Sequence, residues 1–507
     1  MNELLIFCKG IICDIYTYYD RYTYYDMKSR PRRKMIVFFL FFLVVSGLLF
    51  IVGVYNTIKE LPDGISHEGK EYYASGLRFL RDLTWIDENG TRHLDHEIFD
   101  TILSMVKGAE HFVLLDLFLF NDFVGSQNGE NRKLSRELTE VLISQKQKHP
   151  ELMVIFITDP VNTVYGGMKN DNLDLLEKHG IKVVFTQLER LRDSNILYSP
   201  FWRVFSAPLG NGKGSLLSNP FGQGRVSVRS YLRLLNFKAN HRKIIIADDG
   251  DRYKAVVTSA NPHDGSSLHG NVAVQFSGMA VHDLLETEKA VLLFSSNIKA
   301  EFPEMHSTGR EDSPTVQIVT EGAIKKTLLE EFEQAGPGDR MSLVMFYLSD
   351  RDVIQALIDA YGRGTEIQVL LDPNKDAFGR LKNGIPNRQV AAELVETGIS
   401  VRWGNTHGEQ LHSKMMLVNH QEGTSFFILG SANFSRRNLG DFNLETNTAI
   451  RGRSSDQVFG NAGDYFSLLW NNADQKKFSV SYDQYKDTSR TRIVLYRWME
   501  FFGMCTF

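Results

Sequence analysis

One pattern occurs twice in this chain and limits what it can fold into. The first copy reads Asn240-His241-Arg242-Lys243, then Asp248, then Thr258-Ser259-Ala260-Asn261; the second reads His412-Ser413-Lys414, then Gly430-Ser431-Ala432-Asn433. His and Lys stand two residues apart in both. The Ser follows the His by 18 residues in the first copy and by 19 in the second. Chance does not easily supply that twice, and duplication places the two copies across a pseudo-twofold interface.

The flanking sequence runs in parallel too. Apolar strand-like runs at 112–120 and 342–348 are each followed by a helical stretch, 134–147 and 352–361. A second strand comes next, 152–158 or 367–371, ending at Asp159-Pro160 or Asp372-Pro373. Each half then has a helix closed by Gly180 or Gly398 and a short strand, 181–185 or 399–403. Strand, helix and strand in repeated order predict a duplicated α/β fold, with two mostly parallel sheets flanked by helices. Asp116 and Asp159, at or near strand ends, read as caps of helices or turns. His263 and His269 read as solvated loop residues without a role.

Residues two apart on a strand share a face, so each copy presents an imidazole beside an ammonium. Imidazole serves as nucleophile or general acid near neutral pH, Lys is a compact cation for a phosphate oxygen, and the amides of Asn261 and Asn433 donate to the same group. Two such half-sites on one phosphorus suit a two-step displacement without a metal or other cofactor. One His attacks; the other protonates the leaving oxygen and later deprotonates the incoming one.

This arrangement resembles the phospholipase D superfamily, whose signature is HxK, four residues, Asp, then a GSxxN-like element, twice per active site. The resemblance spans roughly 97–478. Asp248 stands at the expected place, with Thr258 where Gly is usual; the second copy has Gly430 but Asn419 in place of the Asp, a residue whose role the family suggests is mainly structural. Within the superfamily the chain is most similar to bacterial cardiolipin synthase-like enzymes. The resemblance implies His241, Lys243, Asn261, His412, Lys414 and Asn433 as catalytic, with Asp248, Ser259 and Ser431 in support. It also implies a carboxylate after the second Ser-Ala-Asn that bonds the nearby catalytic His. Glu445 fills that place, and at the matching place in the first half stands Asn271, or Ala273 in the other register. On this reading Glu445 lies beside His412 and favours its protonated form, while Asn271 orients His241 without raising its pKa. His241 is then the nucleophile and His412 the acid and base; precedent within the superfamily allows either assignment.

Met35 to Val54 is twenty residues without a charge, enough at about 1.5 Å per residue to span a hydrocarbon core of about 30 Å. Five cations, Lys28 to Lys34, precede it. The positive-inside tendency therefore predicts a single-pass, uncleaved anchor with the catalytic part outside the cytoplasm. Residues 56–504 contain no Cys, so neither a disulfide framework nor a thiolate metal site is available there. The tandem Tyr-rich repeat at 16–26 suggests no function, and Met27 offers a second start to Met1. The expected layout is a tail at 1–34, the anchor at 35–54, a linker region at 55–96, phospholipase D-like halves at 97–310 and 311–480, and a C-terminal extension at 481–507. The first half also carries an excursion of about 42 residues, mostly between Glu189 and Lys238, read either as a lid for a lipid interface or as a surface cover.

A net charge of −4 lacks the basic excess of a nucleic-acid binder. Together with the anchor, the resemblance implies a membrane-anchored phosphatidyltransferase acting on a phosphatidylglycerol-like donor in the bilayer through a phosphohistidine, with cardiolipin as the product when the acceptor is a second such lipid. A hydrolase, a nuclease or other phosphodiesterase, and a silent lipid-binding scaffold are the alternatives. The sequence leaves oligomeric state open.

Overall fold

Three consecutive isoleucines, Ile244 to Ile246, show how the core is built. They are fully buried in the strand Lys243–Asp249, and successive side chains of a strand point to opposite faces. Ile244 and Ile246 enter one apolar cluster and Ile245 another. The second half repeats this with Met415 and Leu417 on one face of Lys414–Asn419, and Met416 and Val418 on the other. Strands covered on both faces belong inside a layered stack. Here the inner faces of two sheets share the central cluster, where Phe79 meets Phe427 edge to face at 6.4 Å. Helices cover the outer faces through Ile98, Ile102 and Leu138 on the first sheet and Ile324, Val353 and Leu394 on the second.

The computed structural model describes residues 30–125, 131–210, 216–296, 298, 309–377, 380–473 and 476–507. The Tyr-rich repeat, Cys8, Cys13 and Met27 lie outside the described residues. Two compact units divide the chain, 1–55 and 56–507. In the first, the described residues belong to the helix Arg30–Ile58. Its span Lys34–Ile58, 25 residues, is long and apolar enough to cross a membrane.

The second unit holds both sheets. The first is ordered Arg92–His96, Ser75–Ile86, Asn271–Ser277, Arg252–Thr258, Lys243–Asp249, Phe112–Leu117, Met153–Thr158, Lys182–Phe185. From Thr315–Thr320 the second repeats that order: Thr446–Arg453, Thr424–Gly430, Lys414–Asn419, Arg340–Met345, Glu366–Leu371, Ser400–Gly404. Tyr72–Tyr73 and Ser479–Ser481 flank it. The two halves therefore share one topology.

Two expectations change. The sheets are mixed rather than mostly parallel: each keeps a parallel trio, Phe112–Leu117 with its two followers and Arg340–Met345 with its two, and the other described pairings are antiparallel. The cause is local. A tight turn at Gly250, φ +62°, joins Lys243–Asp249 to Arg252–Thr258, and a connection that short makes antiparallel neighbours only. Residues 55–96 are also more than a linker, since Ser75–Ile86 pairs with Asn271–Ser277 as Thr315–Thr320 pairs with Thr446–Arg453. Arg78 and Arg81 interrupt its apolar alternation, which hid the strand.

Candidate active site

The HxK segments lie where the parallel trios end, the usual place for a site in an α/β sheet. His241 and His412 stand two residues before the strands that Lys243 and Lys414 begin. Buried carboxyls fix the preceding residue in each half: Asp159 accepts from Asn240 N at 2.7 Å and Asp372 from Leu411 N at 2.9 Å. Burial pushes these carboxyls up to about 7 and about 6. Asp159 also caps Val161 N, as expected, whereas Asp116 caps nothing of the kind; it takes both bonds from the Asn240 amide, at 2.8 and 2.9 Å.

Each histidine is then tied to the opposite half. His241 N donates to Leu444 O at 2.8 Å, and His412 N donates to Gly270 O at 2.8 Å. These two bonds decide what sits beside each ring. The residue after Leu444 is Glu445, whose Oε2 lies 2.9 Å from His241 Nδ1; the residue after Gly270 is Asn271, whose Oδ1 lies 3.1 Å from His412 Nδ1. The expected pairing, Glu445 with His412 and Asn271 with His241, is therefore reversed. It assumed that each half completes its own site, whereas the backbone crosses over and each half completes the other's.

The partners set the ring protonation. A carboxylate only accepts, so His241 Nδ1 carries the hydrogen and Nε2 keeps its lone pair. The Asn271 amide is oriented by Nδ2 donating to His269 O at 3.0 Å and by Ser259 Oγ donating to Oδ1 at 3.1 Å. His412 Nδ1 is thus also the protonated nitrogen. Glu445 is fully buried and receives Ser431 Oγ at 2.5 Å and the amide of Asn438. Ser259 and Ser431 hold equivalent posts, each also accepting from a strand amide, Val272 N or Thr446 N, at 3.0 Å.

Burial lowers His241 to about 4 against the opposing pull of Glu445, and holds His412 well below the ordinary histidine value, with Lys414 and His269 adding to the effect. Both rings are neutral in the empty site. For Glu445 burial acts upward, but His241 and Lys243 outweigh it and hold the carboxyl below its ordinary value. Lys243 and Lys414 are fully buried, donate to the carbonyls of His241 and His412 at 2.6 and 2.7 Å, and have depressed pKa values through burial. Neither has a carboxylate within ion-pair distance among the described residues. An incoming anion would restore their charge.

Asp248 stands apart from this. Its carboxylate accepts from the backbone of Glu110, His111 and Phe112 at 3.0, 3.1 and 2.7 Å, at the far end of the strand from Lys243. That is a structural post.

His241, His412, Asn261 and Asn433 line one cavity of about 330 Å³. Among the described residues, no group of three or more His, Cys, Asp or Glu is placed to hold a metal ion. Several wall residues were not singled out from sequence. Phe118 and Phe346 follow equivalent strands and cross the two imidazoles at 4.8 and 4.9 Å, with Lys243 and Lys414 over the same rings at 5.1 and 5.0 Å. His263 and His269, expected in solvent, are buried at this wall, and burial lowers them to about 4 and about 3. The excursion adds Phe221, Leu234 and Phe237, and the C-terminal extension adds Thr506. The excursion also exposes Leu197, Phe201, Phe205 and Leu209.

A buried charge cluster braces the crossover. Arg242 is fully buried and bonds Glu288 at 2.7 Å and Glu321 at 2.8 Å. The same Glu321 oxygen accepts from Glu445 N at 2.9 Å, and its other oxygen from Ser66 N at 2.9 Å. Glu321 itself has φ +47° and ψ −123°, a conformation that costs a residue with a side chain roughly 1–3 kcal/mol and persists where surroundings over-determine it.

Residues 328–470 match the family model described as cardiolipin synthase, PLD-like domain. No curated protein matches the chain. Among solved structures, phosphatidylserine synthase of Haemophilus influenzae Rd KW20 superposes with a TM-score of 0.55 at 10% identity, over 90% of this chain and 98% of that one. Polyphosphate kinase of Porphyromonas gingivalis aligns at 14% identity over 83% and 52% with a TM-score of 0.42. The phospholipase D family member Nuc of Salmonella typhimurium aligns at 19% over 33% and 99% with a TM-score of 0.26. The sequence match places a phospholipase D-like domain in the second half, and the superposition with the synthase extends the same fold over both halves.

Proposed function

We propose that this protein is a membrane-anchored phosphatidyltransferase that works through a phosphohistidine on His241 and is cardiolipin synthase-like in its reaction. The observation that carries the proposal is the crossed pair of half-sites in one cavity, with apolar side chains, Phe118, Phe221, Leu234 and Phe237, lining that same cavity. The Nε2 of His241 attacks the phosphorus of a phospholipid as the bond to the leaving head-group oxygen breaks. His412 gives that oxygen its proton, then takes the proton of the acceptor alcohol as the acceptor displaces His241. Lys243, Lys414, Asn261 and Asn433 hold the phosphoryl oxygens.

Glu445 supports the nucleophile role of His241, now for a different reason. It fixes the tautomer that frees Nε2 and balances the positive charge that develops on the ring when Nε2 bonds phosphorus. The apolar helix Lys34–Ile58 and the exposed side chains of the excursion favour a lipid substrate met at the membrane.

The test is incubation of the full-length protein in phosphatidylglycerol vesicles with products read by mass spectrometry, beside His241→Ala. Cardiolipin and glycerol, absent with the variant, are expected. Phosphatidic acid alone would make the enzyme a hydrolase, and no phospholipid turnover would overturn the proposal.

A further inference from the structure

Four cations meet the cavity or its walls beyond the paired Lys238, and two of them belong to neither HxK motif. Arg437 is buried, lines the cavity, and makes no ion pair with a carboxylate among the described residues. Its Nη atoms donate to backbone carbonyls, Phe237 O at 3.0 Å, Gly503 O at 3.1 Å and Cys505 O, while its Nε has no hydrogen-bond partner among the described residues. Lys382 lines the same cavity, reaches the Tyr347 hydroxyl, and likewise has no carboxylate within ion-pair distance among the described residues. By contrast, Lys238 is matched by Asp193 at 2.5 Å.

The two unmatched cations are parts of one wall. Arg437 holds the carbonyl of Cys505, Thr506 faces the cavity, the ring of Phe507 packs on Tyr347 at 5.9 Å, and Tyr347 meets Lys382 through its hydroxyl and, at 4.6 Å, through its ring. A buried guanidinium without a counter-charge is costly unless an anion completes it. On the proposed function a phosphodiester between the histidines carries one negative charge, and Lys243 and Lys414, set against the wall rings of Phe118 and Phe346, would meet it. The buried guanidinium of Arg437 is left over, and a second anion would complete it, with the half-buried Lys382 at hand to share that anion.

Resting on the proposed function, we propose that Arg437 and Lys382 form a subsite for a second anionic group, a phosphate or carboxylate carried by the acceptor alcohol or by the departing head group. Guanidinium and ammonium suit such groups, the first through its planar fork. This wall therefore selects among substrates and leaves the displacement at phosphorus to the histidines.

Competition assays on the full chain in lipid vesicles test it, because ratios cancel losses of folded enzyme. In the acceptor arm, glycerol 3-phosphate competes with glycerol for the phosphatidyl group; in the donor arm, phosphatidylserine competes with phosphatidylethanolamine, which lacks the carboxylate. Arg437→Gln and Lys382→Gln should each lower the ratio favouring the anionic partner by about tenfold in one arm, with Arg437→Lys recovering part of it. The arm that responds identifies which substrate carries the anion. Unchanged ratios in both arms, with both variants active, would make Arg437 a clamp on the C-terminal segment and overturn the subsite. Lys382→Gln disturbs no backbone contact and covers the case in which Arg437→Gln fails to fold. Calorimetric titration with inorganic phosphate reads the subsite without turnover: two phosphates per chain in the wild type and one in Lys382→Gln are expected, and one in both refutes it. No phospholipid turnover by the wild type together with two bound phosphates would sink the proposed function and leave the subsite standing.

Discussion

The two half-sites share one backbone plan but not one chemistry. Both histidines are bonded through N–H to the opposite half, both lysines cap the carbonyl two residues back, and both rings lie against a Phe. At Nδ1 they part company: His241 has the carboxylate of Glu445 and His412 the amide of Asn271. Duplication supplies the geometry, and divergence at one position per half then gives two equal imidazoles different work. A ring backed by a carboxylate tolerates gaining positive charge; a ring backed by an amide gives up its proton more readily.

Removing the distinguishing carboxylate should have the largest effect. Glu445→Gln leaves an amide that can turn either face to His241, so the tautomer with a free Nε2 is no longer enforced. Loss of the equivalent buried carboxylate in a Ser-His-Asp site costs about 10^4, and a fall in kcat of about 10^2- to 10^4-fold is expected here. Rapid-quench trapping of phosphoenzyme locates the defect: its formation should slow, while breakdown of any intermediate formed slows less. Equal slowing of both steps would break the assignment of His241 as nucleophile.

The middle residue of each HxK sharpens the comparison through stability. Arg242 neutralises Glu288 and Glu321 with no exposed surface, and Glu321 also positions Glu445 N. Arg242→Gln strands two buried carboxylates and should cost about 3–5 kcal/mol. Ser413, at the same place in the second half, meets the Tyr465 hydroxyl at 2.8 Å and has no such charge to balance. Ser413→Ala should cost about 0.5–1.5 kcal/mol. Denaturant midpoints of the solubilised full chain check both, and similar losses would show that the charge cluster does not brace the crossover.

These residues also mark how far the sequence could be read. The repeated HxK and Ser-Ala-Asn spacings expose the duplication, since strand period and motif spacing are local properties. So is the order of strand and helix, and Arg340–Met345, Arg351–Gly362 and Glu366–Leu371 lie within three residues of their expected ends. The crossover is not local. It depends on which backbone Leu444 and Gly270 meet, and spacing along one half carries no record of the other. The burial of His269 and the arrival of Thr506 at the cavity are hidden for the same reason. Asp159-Pro160 and Asp372-Pro373 do carry a local signal: they recur at matched strand ends, and both carboxyls hold the residue before a histidine.

The smallest expected effect makes the halves alike. In the empty site burial and Lys414 hold His412 below the ordinary histidine value, whereas His241, lowered to about 4, is neutral above that pH. The first step of the proposed mechanism requires neutral His241 and protonated His412. kcat/KM should therefore rise as pH rises through about 4, and then fall as His412 loses its proton below the ordinary value of about 6.5. Asn271→Asp places a carboxylate at His412 Nδ1, which favours the protonated ring and should move the falling limb upward by about one unit or more. The rising limb, set by His241 and Glu445, should stay where it is. The substitution forfeits the bond from Asn271 Nδ2 to His269 O, a loss of about 1 kcal/mol that leaves the profile readable. If the rising limb moves instead, His412 is the nucleophile, and the difference between the half-sites must be read in the opposite direction.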